Sequence, residues 1–361
     1  MTGPSDPMHS PDHSGNPEFP FAVGQPVRVL ADGHGGDQGV PMIVDAMSDI
    51  LSGRSGIRTE GIRLGICGRP EEITTLLRDR GIASQVDIVP ATDVIEMCES
   101  PSSVLRSKKD SSIHVGARMV RDGEWDAFVS AGNTGALMAI SRMVLKTMPG
   151  VDRPAIASLI PSVGGGATLF LDVGANVDCT STHLMQFAVM GSCYMQAAHD
   201  IPAPRIGLLN IGTEDIKGTD VVKLTAAELR ESSLNFIGFV EGTDLFSDAV
   251  DVVVCDGFVG NVALKTMEGT AKYLIRQLRE ALNSTLMAKA GALLARDSLG
   301  RMKERTNPSA YNGAPLLGLN GIVVKSHGSA DAHAYACALD AARREVEAGL
   351  IERIATSMQE L

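Results

Sequence analysis

A short run of Val, Ile, Leu or Phe, followed by a small polar loop with Gly and then by a helix-like segment, recurs along this chain. Five cases are clear, with loops at residues 130–135, 172–176, 212–218, 256–261 and 325–329, and a sixth loop at 32–37 has the same form. Continuous apolar strands that alternate with helices are typical of a sheet whose two faces are both covered. The repeat therefore predicts an α/β fold, a three-layer α/β/α sandwich with a mostly parallel sheet.

The loops also indicate where a ligand binds. In sheets of this kind, ligands lie outside the carboxyl ends of the strands, which is where each loop would be. We therefore expect the loops to converge on one cleft. Backbone amides at helix N-termini and closely approaching glycines favour an anion such as phosphate. No P-loop is present, and residues 33–39 miss the dinucleotide fingerprint by one residue, so nucleotide and NAD binding lose support.

Composition narrows the class of function further. The formal net charge of −11 argues against nucleic-acid binding, because proteins that follow a phosphate backbone normally carry a basic excess. The six cysteines include no C-x-x-C pair, so neither a zinc site nor a disulfide framework is indicated, and a reducing cytoplasm is expected. We expect no metal and no cofactor.

Two segments stand apart from the repeat. Residues 1–25 are rich in Pro, Ser, Asp and His, which predicts a disordered tail before an α/β domain at 26–361. The uncharged stretch 154–171 contains Pro161 and three consecutive glycines, so we interpret it as two strands and a turn, not as a membrane span.

A helical insertion is predicted at about 272–310, as a protruding pair of helices. Between residues 283 and 307 it carries five Lys or Arg residues and two acids, giving +5 − 2 = +3 in an acidic chain. Basic amphipathic helices bind anionic membrane surfaces. The candidate membrane contacts are Leu286, Met287, Leu293, Leu294 and Leu299. A dimer interface or core packing explains the same residues, and both interpretations stay open.

Each polar loop also has an ordinary structural explanation. Asp172 and Asp256 fit helix or loop caps, and His327 fits a packed or solvated histidine. Cys255 lies in an apolar run, where burial raises the pKa of a thiol, so it is not expected to be a nucleophile. Ser130 lacks a G-x-S-x-G elbow, and a covalent serine mechanism is not indicated.

As a set, the loops resemble a known family, the phosphate acyltransferases of bacterial phospholipid synthesis called PlsX. The resemblance runs from residue 27 to about residue 350. Its strongest stretches are KKDSS at 108–112, SAGNTGALMA at 130–139, LDVGAN at 171–176, GLLNIG at 207–212, VCDGFVGN at 254–261 and GAPLLG at 313–318. The first loop departs from the family's D-A-M-G-G-D-H. Gln38 replaces the histidine, and His34 is expected to fill space in place of Met.

The resemblance implies a homodimeric cytoplasmic enzyme with a fold similar to isopropylmalate dehydrogenase and phosphotransacetylase. The implied reaction moves a fatty acyl group from acyl carrier protein to inorganic phosphate. The enzyme would associate loosely with the membrane and pass its product to an integral-membrane acyl-phosphate:glycerol-3-phosphate acyltransferase. Two alternatives remain: an acyl-CoA enzyme like phosphotransacetylase, and a non-catalytic scaffold that holds carrier protein near the membrane.

We assign site residues on the same basis. Lys217 would neutralise phosphate or oxyanion charge, Asn261 would donate to the oxyanion, and Asp256 and His327 would orient these groups. Phosphate would be held by Gly35, Gly36, Asn133 and Thr134, while Lys108 and Lys109 would attract anions and the acidic carrier protein. The remaining predicted substrate-binding residues are Asp32, Asp37, Ser130, Asp172, Asn176, Asn210, Glu214, Lys325 and Ser329.

Overall fold

Eleven strands form one sheet in the part of the chain that the computed structural model describes, residues 25–58, 60–305 and 308–361. Across the sheet their order is β3-β2-β1-β4-β11-β10-β5-β6-β9-β7-β8. Along the chain they are β1 (Val27–Asp32), β2 (Ile62–Gly68), β3 (Val86–Pro90), β4 (Ala127–Ser130), β5 (Ala155–Pro161), β6 (Ala167–Leu171), β7 (Ile206–Leu209), β8 (Phe236–Val240), β9 (Val252–Val254), β10 (Ala314–Leu317) and β11 (Ile322–Lys325).

Helices cover both faces of this sheet. They are α1 (Gly39–Leu51), α2 (Pro70–Asp79), α3 (Pro101–Ser107), α4 (Ser112–Arg121), α5 (Thr134–Leu145), α6 (Ser181–His199), α7 (Asp220–Glu231), α8 (Gly257–Asn283), α9 (Leu286–Leu294), α10 (Arg296–Arg305), α11 (Ala332–Glu347) and α12 (Leu350–Gln359). Strand β1 contributes Val29 and Ala31 to one buried cluster and Leu30 to another. Since successive strand side chains point to opposite faces, a core lies on each side of the sheet, as the three-layer prediction requires.

The sheet has two parallel halves that run in opposite directions. Strands β1, β2, β3, β4 and β11 are parallel, and so are β6, β7, β8 and β9. Between the halves, β10 is antiparallel to both β11 and β5, and β5 is antiparallel to β6. Three reversals of direction therefore separate β11 of one half from β6 of the other.

The register across the centre of the sheet brings the ends of the two halves level with each other. Through β10 and β5, Leu171 at the end of β6 lies level with Val324 near the end of β11. We call the loops after β1, β4 and β11 the first edge, and the loops after β6, β7 and β9 the second edge. That all the loops converge on one cleft stays a prediction.

The stretch 154–171 forms the antiparallel pair β5 and β6, which confirms the two predicted strands. Helical structure begins earlier than predicted, because α8 starts at Gly257 and runs about 40 Å before α9 and α10 follow. Within the described ranges, no helix has the length and apolarity needed to cross a bilayer. The predicted tail, apart from Gln25, lies outside the described residues.

Candidate functional site

Three strand ends meet at the first edge. Ser130 is the last residue of β4, and Asp32 is the last residue of β1. The Ser130 hydroxyl donates to Asp32 Oδ2 at 2.5 Å, and both side chains are buried. Lys325, at the end of β11, is also buried, and its ammonium donates to the Ser326 carbonyl. The backbone N–H of Ser326 donates to the Ser130 carbonyl at 2.9 Å, which joins β11 to β4. This edge therefore contains a buried carboxylate and a buried ammonium in one small cluster of strand ends.

The first loop, residues 32–37, packs closely against these strand ends, and this packing explains its glycines. A Cβ on Gly35 would lie 2.7 Å from Asp32 Oδ2 and from the Gly132 nitrogen, which is too close for any side chain. Gly36 has a φ of +87°, and a Cβ there would lie 3.0 Å from the Gly328 carbonyl oxygen. The N–H of Asp37 donates to that same oxygen at 2.8 Å. Close packing between loops accounts for both glycines before any ligand is considered.

The two departures from the family's first loop have partners within the fold. His34 Nε2 accepts from the Arg69 N–H at 3.3 Å. Gln38 donates through its side-chain amide to the Ala330 carbonyl at 3.2 Å. Both residues therefore connect the first loop to its surroundings, and the space-filling role expected for His34 stays a prediction.

Charges at the first edge act on Lys325 and His327. Burial lowers the pKa of Lys325 to about 8, while Asp32 and Asp37 oppose that shift and Lys265 of α8 adds to it. Partial desolvation also lowers the pKa of His327, and Lys265 contributes in the same direction. His327 Nδ1 lies 2.9 Å from the Ser329 hydroxyl and accepts from the Ser329 N–H at 3.2 Å.

Asn133 and Lys108 hold a neighbouring loop, residues 94–99. The Asn133 amide donates to the carbonyls of Glu96, Met97 and Glu99 at 3.0–3.3 Å, and its oxygen caps α5. The Lys108 ammonium donates to the Val94 carbonyl at 2.5 Å and to the Glu99 carboxylate at 2.6 Å. These contacts use both amide protons of Asn133, so its side chain retains no donor for phosphate. Thr134 and Lys109 remain exposed.

At the second edge, Asp172 organises the loop after β6. Its carboxylate is fully buried and accepts from the N–H groups of Ile156, Gly174, Ala175 and Asn176 at 2.7–3.2 Å, and from the Asn176 side chain at 2.9 Å. The Asn176 amide also donates to the Pro154 carbonyl at 2.8 Å. Both predicted substrate-binding side chains therefore form the framework of this loop. Their contact with substrate stays a prediction.

Asp256 and Asn261 lie at the start of α8. The Asp256 carboxylate caps the helix by accepting from the Val259 N–H at 2.8 Å. Asn261, one turn later, packs beside Gly174, where a Cβ would lie 3.5 Å from the Asn261 side chain. Asn261 is exposed, and among the described residues its side chain has no hydrogen-bond partner. It is therefore a free amide donor at the second edge.

The loop after β7 carries Lys217. Its ammonium forms an ion pair with Glu214 at 2.8 Å, and this hydrogen bond raises the pKa of Lys217 and lowers that of Glu214. Asn210 holds the loop closed by donating to the carbonyls of Gly212 and Lys217 at 3.0 and 3.3 Å. Because β7 and β9 are adjacent strands, this loop leaves the sheet beside the start of α8. Lys217 and Asn261 therefore stand on neighbouring elements.

Cys255, Cys179 and Ser130 do not resemble activated nucleophiles. Burial raises the pKa of the Cys255 thiol well above its ordinary value, and it raises the pKa of Cys179 to about 11. Ser130 uses its proton in the bond to Asp32. These observations agree with the rejection of Cys255 and Ser130 from the sequence.

Helix α8 connects the two edges, and this connection was missed in the sequence. It begins beside Gly174 at the second edge, and the charges of its Lys265 and Lys272 reach His327 at the first. Asn312 was missed as well. It accepts from the His327 N–H at 3.0 Å and donates to the Ser326 hydroxyl at 2.8 Å. No strand-to-helix loop contains Asn312, so the repeat gave no signal for it.

The fold is shared with solved structures of acyl-transferring enzymes. A phosphotransacetylase from Streptococcus pyogenes shares the fold with a TM-score of 0.57 and 19% identity, covering 90% of this chain and 95% of that chain. A branched-chain phosphotransacylase from Enterococcus faecalis has a TM-score of 0.55 and 13% identity, covering 89% and 99%. At these identities the likeness establishes the fold alone. The chain has the three-layer α/β fold of the phosphotransacetylases, which confirms the predicted fold class.

Sequence comparison then gives the family. A family model described as fatty acid synthesis protein matches residues 27–353. A phosphate acyltransferase from Bordetella parapertussis is 48% identical over 93% of this chain and 94% of its own length. Another, from Alkalilimnicola ehrlichii, is 47% identical over 93% and 97%. The chain belongs to this family, the PlsX phosphate acyltransferases, and is an acyltransferase enzyme.

Proposed function

We propose that the chain transfers a fatty acyl group from an acyl carrier protein thioester to inorganic phosphate by direct attack of phosphate on the thioester. The observation that carries this proposal is the free amide of Asn261, on the element next to Lys217, in a region where burial keeps the thiols protonated. A free donor and a cation next to thiols that stay protonated suit an external nucleophile. Phosphate is ionised at neutral pH and needs no strong base.

The reaction forms one bond and breaks another. A phosphate oxygen attacks the carbonyl carbon, and the carbonyl oxygen becomes an oxyanion that accepts from the Asn261 amide. The C–S bond then breaks, the carrier's thiolate leaves and takes a proton, and acyl phosphate remains. Lys217 neutralises phosphate while Glu214 keeps its ammonium in place. Fixing the reactants in line removes much of the entropic cost of their encounter.

The first-edge residues have a separate part in this proposal. Lys325 and Lys265 attract phosphate toward the side of α8 that faces the first edge, and Asp32 stabilises the charged form of Lys325. Ser130 keeps Asp32 in place by donating to its carboxylate. His327 accepts from the Ser329 N–H through Nδ1, so its Nε2 carries the ring proton and can donate to an anion.

A single assay distinguishes this activity from its alternatives. Purified protein is mixed with phosphate and either long-chain acyl carrier protein or acyl-CoA, and acyl phosphate is captured with hydroxylamine. Turnover with the carrier thioester supports the proposal. Turnover with acyl-CoA alone indicates a phosphotransacetylase-like enzyme, which the shared fold leaves open. Absence of turnover with both substrates indicates a scaffold.

Association with the membrane surface and with a second copy is also part of this proposal. The side chains of Leu286, Met287, Leu293 and Leu294 are 71–90% exposed on α9, while Leu299 of α10 is half-buried. Apolar exposure of this extent marks a contact surface. Near the membrane, the acyl phosphate would pass to the acyl-phosphate:glycerol-3-phosphate acyltransferase, and the protein would otherwise be cytoplasmic.

Vesicle sedimentation measures membrane binding, and the molecular mass in solution measures dimer formation. Together they distinguish a membrane-contact surface from a subunit interface. We expect L293E/L294E to abolish binding to anionic vesicles and to leave the dimer intact. The control is L224E on α7, where an exposed leucine is changed without effect on either property. Loss of the dimer in L293E/L294E would instead assign α9 to the subunit interface.

A further inference from the structure

Five residues of α8 form a stripe along one side of the helix. At about 100° per residue, Asn261, Lys265, Lys272, Arg276 and Arg279 fall within an arc of about 60°. We call these four cations, with Asn261 at their head, the basic stripe. The steps between its members follow the helical period, so the cations continue in line from the candidate catalytic amide.

The cations of the basic stripe are available to a partner. All residues from Gly269 to Ala281 are exposed, and Glu280 is the one acid among them. Lys265 forms an ion pair with Glu268 at 3.0 Å. Lys272, Arg276 and Arg279 form no ion pair with any described residue. A run of unpaired cations in a chain of net charge −11 is a local reversal of sign, which favours an acidic partner.

The stripe borders the candidate site. Lys265 and Lys272 are both close enough to His327 to lower its pKa, although desolvation has the larger effect. Asn261, at the head of the stripe and one turn before Lys265, stands beside Gly174. A partner lying along the stripe would therefore have one end next to the reacting groups. The alternative cation, Lys108, already donates to Glu99 and to Val94, which leaves it less suited to docking.

We propose that the basic stripe is the docking surface for an acidic helix of the acyl carrier protein. This rests on the proposed function. Charge complementarity steers the encounter and fixes the register of the two helices, so that the carrier's thioester enters beside Asn261. An anionic membrane is the other partner of matching charge. The carrier is favoured because the stripe begins at the candidate catalytic amide, and because the exposed Leu274 and Leu278 of α8 lie on a different side of the helix from the stripe.

The test compares two pairs of charge reversals in the full-length protein. R276E/R279E changes the stripe, and R78E/R142E changes two exposed arginines without ion pairs to described residues, on α2 and α5. We expect R276E/R279E to raise KM for acyl carrier protein about tenfold at low salt, with kcat unchanged. The difference should shrink as salt rises, because exposed charges are screened. KM for phosphate, and all parameters of R78E/R142E, should stay at wild-type values.

The outcomes are separable. Wild-type protein that fails to use the carrier thioester defeats the proposed function. An active wild type with an unchanged KM in R276E/R279E defeats only the docking surface. Lost vesicle binding or a lost dimer, with an unchanged KM, assigns the stripe to a membrane or a second copy and also overturns the proposal. Should R276E/R279E unfold, R276Q/R279Q serves in its place, with a smaller increase in KM expected.

Discussion

Asn261 and Lys217 differ in how free their side chains are. Lys217 is already paired with Glu214, whereas the Asn261 amide has no partner among the described residues. An unpaired donor on a helix start is available to a developing oxyanion without breaking an existing bond. Removing the Asn261 side chain should therefore weaken the stabilisation of the transition state.

We expect Asn261→Ala to lower kcat about 10²-fold or more, the usual effect of removing one oxyanion donor. The unfolding free energy should change by no more than about 0.5 kcal/mol, because the side chain is exposed. Hydroxamate capture measures the first quantity and urea denaturation the second. The control is Gln85→Ala, an exposed amide far along the sheet. A wild-type kcat in Asn261→Ala contradicts the assignment.

Asp172 is expected to act through stability. Asp172→Asn places an amide among five donors that now meet a fully buried carboxylate. We expect a loss of about 3 kcal/mol in the free energy of unfolding, since buried donors without acceptors are costly. Denaturant titration checks this against Asp178→Asn, an exposed residue nearby. Equal stability of the two variants would refute the framework role.

At the scale of elements, one side chain joins α5 to the loop 94–99. The Asn133 oxygen caps the helix while its nitrogen holds three loop carbonyls. Asn133→Ser retains a capping oxygen and loses the amide donors, and Asn133→Ala loses both. This pair of variants separates the two functions.

We expect faster hydrogen exchange at residues 96–99 in both Asn133 variants, because the loop is released in each. Helix capping predicts a further loss of about 1 kcal/mol in the unfolding free energy for Asn133→Ala alone. Mass-spectrometric exchange and denaturation measure these effects. Unchanged exchange in Asn133→Ser would show that the loop is held by other contacts, such as those of Lys108.

At the scale of the whole molecule, the first edge brings β1, β11 and α8 together around Lys325. Burial lowers the pKa of its ammonium to about 8 from an ordinary 10.5. Between these two values the unfolded chain binds more protons than the folded one, so this residue makes stability rise with pH in that window. Its charge in the folded state is lost as pH rises through about 8.

We therefore expect KM for phosphate to increase above about pH 8 if Lys325 holds the anion. In Lys325→Arg this increase in KM should be smaller, because a guanidinium stays charged. In Lys325→Met the KM for phosphate should be high throughout and should not increase further with pH. Steady-state kinetics between about pH 7 and about pH 9.5 measure the profile, a window that brackets the lowered pKa. If the KM for phosphate still increases with pH in Lys325→Met, a different group is responsible for the titration.

The class of fold and the family were determined by the sequence alone. Strand–loop–helix periodicity is a local signal, and it located β4, β6, β7, β9 and β11 within a few residues. Helix caps such as Asp256 are local as well, because a capping bond joins residues three apart. The sequence motifs in the loops indicated membership of the phosphate acyltransferase family, which the comparisons with known proteins confirm.

Only the tertiary structure decided how these parts meet. The reversal at β10 and β5 depends on pairing between residues far apart, and the register of that pairing decides how the first edge lies relative to the second. Which donors of Asn133 are occupied, and that Asp172 is enclosed by amides, likewise depend on segments that fold against them. Local sequence specifies the hydrogen-bonding groups of a residue, but the packing of distant segments decides which of those groups remain free for a substrate.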